Sequence, residues 1–143
     1  MSAAPEWWAC CANGEGPTVL MRADMDALPI KESTGLSYAS QKTGTDRFGQ
    51  ATSIAHSCGH EMHVTWVMGA THILAKNFDL WKGKIIAVFQ PGEETGQGAR
   101  AMIEDGMVKR FPKPDVTLGQ HLMPLSAGQI GWHVGAMLSA GDS

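Results

Sequence analysis

The densest group of reactive side chains is the segment His56–His63, which holds one thiol, three imidazoles and a carboxylate. Thiolate and imidazole are ligands that zinc and similar metals prefer, and Cys58 and His60 stand on either side of a glycine, so both can face one point. A helix N-terminus directly after them would favour the thiolate. The alternative is a solvated loop that happens to hold histidines. Three of the six histidines of the chain fall here, which favours a metal site.

A second reactive feature is the pair Glu93 and Glu94, which comes shortly after the apolar run Ile85–Phe89. Adjacent residues at a strand end point in different directions. One carboxylate can therefore hold a metal while its neighbour takes a proton from an activated water, as a hydrolytic site requires. A glutamate pair before a helix can also be only a charge complement of the helix N-terminus, and this alternative stays open.

Two further strand ends carry groups of the same kind. Arg22, Asp24 and Asp26 recur at a spacing of two, which places them on one face of an extended segment and predicts an acidic corner. Another apolar segment ends in Gly119-Gln120-His121, so His121 is a further candidate ligand. A single histidine is also common as an ordinary surface or core residue.

The elements that would position these groups predict an α/β domain, a layered sheet with flanking helices, because short apolar runs alternate with helical patterns. The predicted strands are Val19–Ala23, Ile85–Phe89, Val116–Leu118 and Gln129–Val134. The segment Ser33–Ser53 has almost no apolar residues and is predicted to be a loop. In open α/β sheets the ligand crevice lies beyond the carboxyl ends of the strands, which is where the reactive groups fall.

Two helices are predicted. The main one spans Glu61–Asn77, and its apolar face recurs at helical spacing and should pack on the sheet: Val64, Val67, Met68, Thr71 and Leu74. The second spans Gly98–Asp105 and ends at Gly106. Its inward residues are predicted to be Ala99, Met102 and Ile103.

Composition bounds the class of protein. A chain of 143 residues is the size of a single domain, so residues 1–143 are expected to share one core. A net charge of −3 argues against a general nucleic-acid or membrane-surface role. The longest apolar run is far shorter than the roughly 18 residues that span a bilayer, and the start does not resemble a secretory signal. Three cysteines, of which Cys10 and Cys11 are adjacent, favour reduced thiols or a metal site over a disulfide. We therefore expect a cytosolic protein.

Four separated stretches together resemble a known family, the metal-dependent amidohydrolases that include hippurate hydrolase, indole-acetyl-amino-acid hydrolases and N-acyl-amino-acid deacylases. These enzymes are relatives of zinc aminoacylases and carboxypeptidases. The stretches occur in the order of the family: Arg22–Pro29, His56–His63, Gln90–Glu94 followed by Gly98-Ala99, and Gly119–His121. The resemblance implies a zinc-peptidase-like catalytic domain that covers most of the chain from Gly16 onward.

The resemblance also implies roles for individual residues. It makes four residues metal ligands: Cys58, His60, Glu94 and His121. It makes Glu93 the general base that activates a water between two ions. It implies supporting residues that orient the ligands: Asp24, Asp26, His56 and His63. A thiolate ligand favours zinc, nickel or cobalt, with manganese as a further candidate.

The chain departs from the family pattern in three ways. Glu61 stands where the family usually has Asp, and Gly92 stands where Ala is common, but neither change removes a ligand. Family members are also much longer, with a lid or dimerisation domain and a final histidine ligand near the C-terminus. We expect a partial catalytic domain that lacks the lid, and an unpaired sheet edge that promotes a homo-oligomer.

Two functions are consistent with these residues. The first is a metal-dependent hydrolase that cleaves the amide bond of an N-acyl amino acid or a similar small conjugate through metal-activated water. The second is a truncated metal-binding protein with little or no catalytic activity. Hydrolysis of an N-acyl amino acid by the purified protein distinguishes them.

Overall fold

The structure, a computed structural model, describes residues 7–132. Its strands are β1 Trp8–Asn13, β2 Thr18–Asp24, β3 Thr43–Thr45, β4 Ala51–Ser53, β5 Gly83–Gln90 and β6 Val116–Gly119. Its helices are α1 His60–Lys76, α2 Gly98–Glu104 and α3 Met107–Arg110. In this part of the chain, no helix is both long enough and apolar enough to cross a membrane.

The main sheet has the strand order β1-β5-β2-β6. β2 runs parallel to β5 and to β6, whereas β1 pairs with β5 in the antiparallel direction. In the parallel register Asp24 lies opposite Gln90, and Arg22 lies opposite Gly119. The three parallel strands therefore bring their carboxyl ends to one edge of the sheet.

Helices cover both faces of this sheet. Against one face, Val67 of α1 packs with Ala23 and Ala87 in a buried cluster. On the other face, Phe111 packs with Ile86, Leu20 and Val88, and Met102 and Met107 border this second cluster. The α/β prediction of a layered sheet with flanking helices is confirmed, since each face of β2 and β5 buries its own apolar layer.

Most predicted elements are confirmed with small shifts of their ends, but three assignments differ. β1 was not predicted, because its sequence Trp-Ala-Cys-Cys-Ala-Asn lacks a clear apolar alternation. The predicted loop Ser33–Ser53 contains the antiparallel pair β3 and β4, which is built from backbone pairing and an Asp46 turn rather than from apolar burial. In the predicted strand Gln129–Val134, residues 129–132 form no strand, since Gln129 N–H closes a turn onto Ser126 O, and residues 133–134 lie outside the described part.

Two residues predicted to face the core are exposed. Met68 is 58% exposed and lines an open groove between α1 and the strand pair β1–β5, which Cys11 and Trp81 also line. Ile103 is 52% exposed, because the short α2 directs its neighbour Met102 towards the core and turns the next position outward. Both errors come from assigning a wide apolar face to a helix that buries a narrow one.

Candidate metal centre

The site lies where β2, β5 and β6 end and α1 begins. Asp24 is the last residue of β2, Glu93 and Glu94 follow β5, and His121 follows β6. The turn into α1 needs a glycine, because Gly59 has a φ of 81° and a Cβ there would come within 3.2 Å of Leu122 Cδ2. The fold therefore brings four separate segments together at one edge of the sheet.

His60 is the centre of the site. Its ring is fully buried, and Nδ1 lies 2.9 Å from the backbone carbonyl of Asp26. Because a carbonyl only accepts hydrogen bonds, Nδ1 carries the proton and Nε2 of the neutral ring carries the lone pair. That Nε2 is buried without a hydrogen-bond partner.

The unpartnered nitrogen of His60 faces carboxylates. Its Nε2 lies 3.9 Å from Asp24 Oδ2 and 3.8 Å from both Glu93 Oε2 and Glu94 Oε1. A buried polar atom of this kind requires a partner, and the oxygens around it can only accept hydrogen bonds when ionised. A cation between the imidazole and the carboxylates satisfies all of them, so the residues fit a divalent metal.

Three groups of candidate ligand atoms share His60, and within each group the atoms lie within 4.8 Å of one another. They are Cys58, His60 and Glu94; Asp26, His60 and Glu93; and Asp24, His60, His63 and His121. Cys58 also contacts His121 directly, with 3.4 Å between Sγ and Nε2. The structure thus brings the four residues implied as ligands together around one buried ring.

His121 is oriented like His60. Its Nδ1 lies 2.7 Å from the backbone carbonyl of Leu122, so Nδ1 donates and Nε2 of the neutral ring presents its lone pair towards Cys58. In contrast to His60, His121 is exposed, because it follows β6, which is the outermost strand of the main sheet within residues 7–132.

The thiol of Cys58 is protonated in the metal-free site. Burial, followed by the hydrogen bond and the negative charge of Glu94, raises the pKa of Cys58 to about 11. The expectation that the helix N-terminus favours the thiolate is therefore wrong for the protein without a bound ion, since burial and the nearby carboxylates raise the pKa of Cys58. An ion that binds through this sulfur must displace the proton.

Asp24 is an ionised carboxylate at the base of the site. It is fully buried, and its Oδ1 accepts a hydrogen bond from Nδ1 of His63 while its Oδ2 accepts one of 2.8 Å from Nη1 of Arg22. Burial alone would raise the pKa of Asp24, but the His63 hydrogen bond and the positive charge of Arg22 outweigh it and lower the pKa. Both oxygens are thus engaged by protein groups.

His63 is buried beside His60 but has both ring nitrogens engaged. Its Nδ1 bonds to Asp24, and its Nε2 accepts the backbone N–H of Leu122 at 2.8 Å. No lone pair of this ring is left for an ion in the described arrangement. The contacts fit an orienting role and not a ligand role for His63.

The two remaining supporting residues differ from each other. Asp26 links two implied ligands, because its Oδ2 accepts the backbone N–H of Glu94 at 3.1 Å and its backbone carbonyl accepts from Nδ1 of His60 at 2.9 Å, whereas its buried Oδ1 has no hydrogen-bond partner. His56 faces Glu61 at 3.9 Å, near the surface and outside the three ligand groups. The structure therefore gathers Asp24, Asp26 and His63 around the site but leaves His56 at its periphery.

Sequence reasoning missed two participants. The spacing of two places Arg22 on the acidic face but predicts no role for it, although it bonds to Asp24 and, through Nε, to Gln90 Oε1 at 2.9 Å. A basic residue two positions before a buried aspartate is a readable signal for such a pair. Leu122 contributes only its backbone N–H, and no side-chain pattern could have identified it.

This combination of a layered α/β sheet with a buried imidazole, a thiol and clustered carboxylates is typical of a metallohydrolase. The sequence model of peptidase family M20/M25/M40 matches residues 20–136, and the chain belongs to that family.

Individual relatives agree with this assignment. N-acetyl-L-cysteine deacetylase of Bacillus subtilis is 43% identical over 131 residues, which cover 91% of this chain and 29% of the relative. Hippurate hydrolase of Campylobacter jejuni is 38% identical, covering 86% of this chain and 29% of that enzyme. The chain therefore spans less than a third of the length of these relatives.

A solved structure supports the fold. The Bacillus subtilis YXEP protein, a dinuclear metal-binding peptidase of the M20 family, has a TM-score of 0.68 and 32% identity. The match covers 82% of this chain and 30% of that protein. The zinc-peptidase-like fold implied by the resemblance is thereby confirmed for the matched part.

Proposed function

We propose that the protein hydrolyses the amide bond of N-acyl amino acids or similar small conjugates with the help of bound metal. The observation that carries this proposal is the buried, unpartnered Nε2 of His60, which faces three carboxylates within 3.9 Å. Relatives named for N-acetyl-L-cysteine deacetylation and hippurate hydrolysis support the substrate class.

The proposed metal ligands are Cys58, His60, Glu94 and His121, which the fold brings to one edge of the sheet. The proposed complement is two divalent ions, in line with the dinuclear M20 relative. Sulfur and imidazole donors favour zinc, nickel or cobalt, and the carboxylates also suit manganese. When bound, the ions make a water more acidic and polarise the scissile carbonyl.

Glu93 is the proposed general base. Its side chain is 36% exposed, so it reaches both the metal side of the cleft and the incoming substrate. Glu93 accepts a proton as the water oxygen forms a bond to the carbonyl carbon, and it returns that proton to the amine nitrogen as the C–N bond breaks. The products are a carboxylate and a free amino acid. Because both glutamates lie 3.8 Å from His60, their division of roles rests on the resemblance.

A second candidate function is metal binding with little or no catalysis. The observation that favours it is the exposure of the described site, because His121 is exposed and the side chain of Glu93 is 36% exposed. A site that is open to water in this way screens the stabilisation of a developing oxyanion. We further propose a homo-oligomer and a cytoplasmic location; the latter is supported by three free cysteines, which suit a reducing compartment.

The test compares Glu93→Gln with the wild-type protein and with Glu104→Gln, an exposed glutamate on α2. The purified proteins, with mass verified, are loaded with zinc, cobalt or manganese and assayed on N-acetyl-L-cysteine and N-benzoylglycine. We expect Glu93→Gln to lose hydrolysis by at least about 100-fold while it retains its metal, and Glu104→Gln to match the wild type. Joint loss of metal and activity would make Glu93 a ligand. Metal binding without turnover in the wild type would favour the second function.

A further inference from the structure

We propose that His63, fixed by Asp24 and Arg22, is a positioning residue that holds the segment after β6 and thereby places His121 in the site. The inference rests on the ligand role proposed above for His121. The observation that supports it does not depend on that role, because it consists of the hydrogen bonds that join His63 to the residues before and after His121.

The residues that flank His121 are both bonded to His63. The backbone N–H of Leu122 donates to Nε2 of His63 at 2.8 Å, and Nε2 of Gln120 donates to the backbone carbonyl of His63 at 3.4 Å. The rings of His63 and His121 are in edge contact, with 4.6 Å between their centroids. His63 therefore contacts the segment at three consecutive residues.

This attachment depends on which nitrogen of His63 bears the proton. A backbone N–H can only donate, so Nε2 must carry the lone pair and Nδ1 the proton. Asp24 enforces that tautomer, because its buried carboxylate accepts from Nδ1. Arg22 in turn holds Asp24 through a 2.8 Å hydrogen bond and is itself anchored to Gln90. Hydrogen bonds that begin on β2 and β5 thus fix the position of the loop that follows β6.

Strand β6 itself gives this segment little support. Within the described residues β6 pairs with β2 alone, and all four of its residues are exposed. His121 is exposed as well, whereas His63 is fully buried on α1. A buried acceptor that bonds to an exposed loop is an effective way to fix a ligand that lies outside the core.

A matched pair of variants separates the two nitrogens of His63. In His63→Asn the side-chain amide can replace Nδ1 as donor to Asp24 but cannot reach Leu122. In His63→Gln the side-chain oxygen can replace Nε2 as acceptor for Leu122. Arg22→Gln and Arg22→Lys form a second pair, in which lysine keeps the charge beside Asp24.

The first readout is amide hydrogen exchange in the metal-free protein. We expect the Leu122 amide to exchange roughly tenfold faster in His63→Asn, and to remain near the wild-type rate in His63→Gln. The Leu28 amide, which bonds to the Ala55 carbonyl, is the internal control and should not change. Unchanged Leu122 exchange in His63→Asn, or faster exchange in His63→Gln alone, would overturn the proposal.

The second readout is cobalt(II) binding, followed by the thiolate-to-cobalt absorption of Cys58 and by calorimetry. We expect about 10- to 100-fold weaker binding in His63→Asn and in Arg22→Gln, with recovery in His63→Gln and in Arg22→Lys. Equal losses in His63→Asn and His63→Gln would indicate a direct ligand role for His63 and contradict the proposal.

A measurement on the wild type keeps the test independent of variant folding. Long-range proton–nitrogen NMR of the His63 ring should show a proton on Nδ1 and none on Nε2, and the opposite tautomer would refute the inference. Failure of the proposed function gives a different result. If the wild-type protein binds no cobalt, the proposed metal site is disproved, while the exchange and tautomer measurements still decide the role of His63.

Discussion

The floor of the site and its rim are built differently. The floor consists of Asp24, His60 and His63, which are fully buried on β2 and α1. The rim consists of Cys58, Glu93, Glu94 and His121, which follow the ends of elements or precede α1 and are at least partly open to solvent. The floor is packed against the core, whereas the rim depends on turns and on a few hydrogen bonds.

Folding alone arranges the side chains of the floor, whereas the side chains of the rim need a bound ion to complete their arrangement. In the floor, hydrogen bonds set the tautomers of both rings, and only Nε2 of His60 is left without a partner among the ring nitrogens. In the rim, Cys58 keeps its proton, and the two glutamates both lie 3.8 Å from the unpartnered nitrogen of His60. We therefore expect the floor to be preorganised and the rim to be completed by metal.

The largest expected effect is on the floor. His60→Ala removes the one ring shared by all three ligand groups. We expect metal affinity to fall by more than about 100-fold, beyond the usual effect of an outer-shell change. Calorimetric titration with zinc measures it, and His72→Ala on the exposed side of α1 is the control. Wild-type affinity in His60→Ala would show that the site is not built on the floor.

The next effect concerns stability. Asp24→Asn keeps the shape of the side chain but removes the charge that pairs with Arg22 and His63. We expect the free energy of unfolding, measured with urea at neutral pH, to fall by about 2 kcal/mol, as for the loss of hydrogen bonds to a charged group. Asp79→Asn, an exposed change, is the control.

The same variant should also alter the acid response. The pKa of Asp24 in the folded protein lies below its ordinary value of 3.8. Ionised Asp24 therefore makes its full contribution to the free energy of unfolding above pH 3.8, and this contribution is lost as the pH falls through the folded-state pKa. The stability gap between wild type and Asp24→Asn should therefore narrow on acidification. A gap that is independent of pH would contradict an ionised, paired Asp24.

An effect of intermediate size concerns the rim. Because the pKa of Cys58 is raised to about 11, its thiol must lose a proton when an ion binds. Below that pH we expect metal affinity to rise with pH by up to about tenfold per unit. Zinc affinities measured at several pH values test this slope, which should persist in Cys10→Ser and flatten in Cys58→Ala. An unchanged slope in Cys58→Ala would assign the released proton to another group.

The smallest expected effect is that of Glu61→Asp, which installs the residue that the family resemblance leads one to expect. Glu61 is 53% exposed and lies 3.9 Å from His56. We expect stability to change by less than about 0.5 kcal/mol, as for exposed ion pairs, with metal affinity nearly constant. A large change in affinity, measured in the same titration, would extend the functional rim to His56 and Glu61.

Sequence reasoning was strongest where side-chain chemistry or apolar burial is encoded locally. β5 was predicted because Ile85–Phe89 is a buried strand with a clear apolar run, and α1 begins one residue before its predicted start. The pairing of Cys58 and His60 followed from their residue types on either side of Gly59, directly before a helix. These features depend on neighbours in sequence, so a single chain reveals them.

The remainder depends on contacts between distant segments. β1 is held by its pairing with β5, and nothing in its own sequence indicates that partner. The raised pKa of Cys58 arises first from burial and then from Glu94, which lies far along the chain, and it reverses the expectation based on the helix alone. The bond from Leu122 to His63 uses a backbone group and leaves no trace in residue type.

The orientation of the histidine rings has a consequence for how quickly an ion is captured. His60 and His121 both donate from Nδ1 to backbone carbonyls, so each already offers Nε2 to the cleft. Neither imidazole has to move a proton from one nitrogen to the other before an ion arrives. We therefore expect metal loading to be limited by the loss of water from the ion and by the departure of the Cys58 proton, and not by a tautomer change of either ring. Because Nε2 of His60 has no partner whereas Nε2 of His121 contacts the Cys58 thiol, an ion should bind His60 first and the sulfur last.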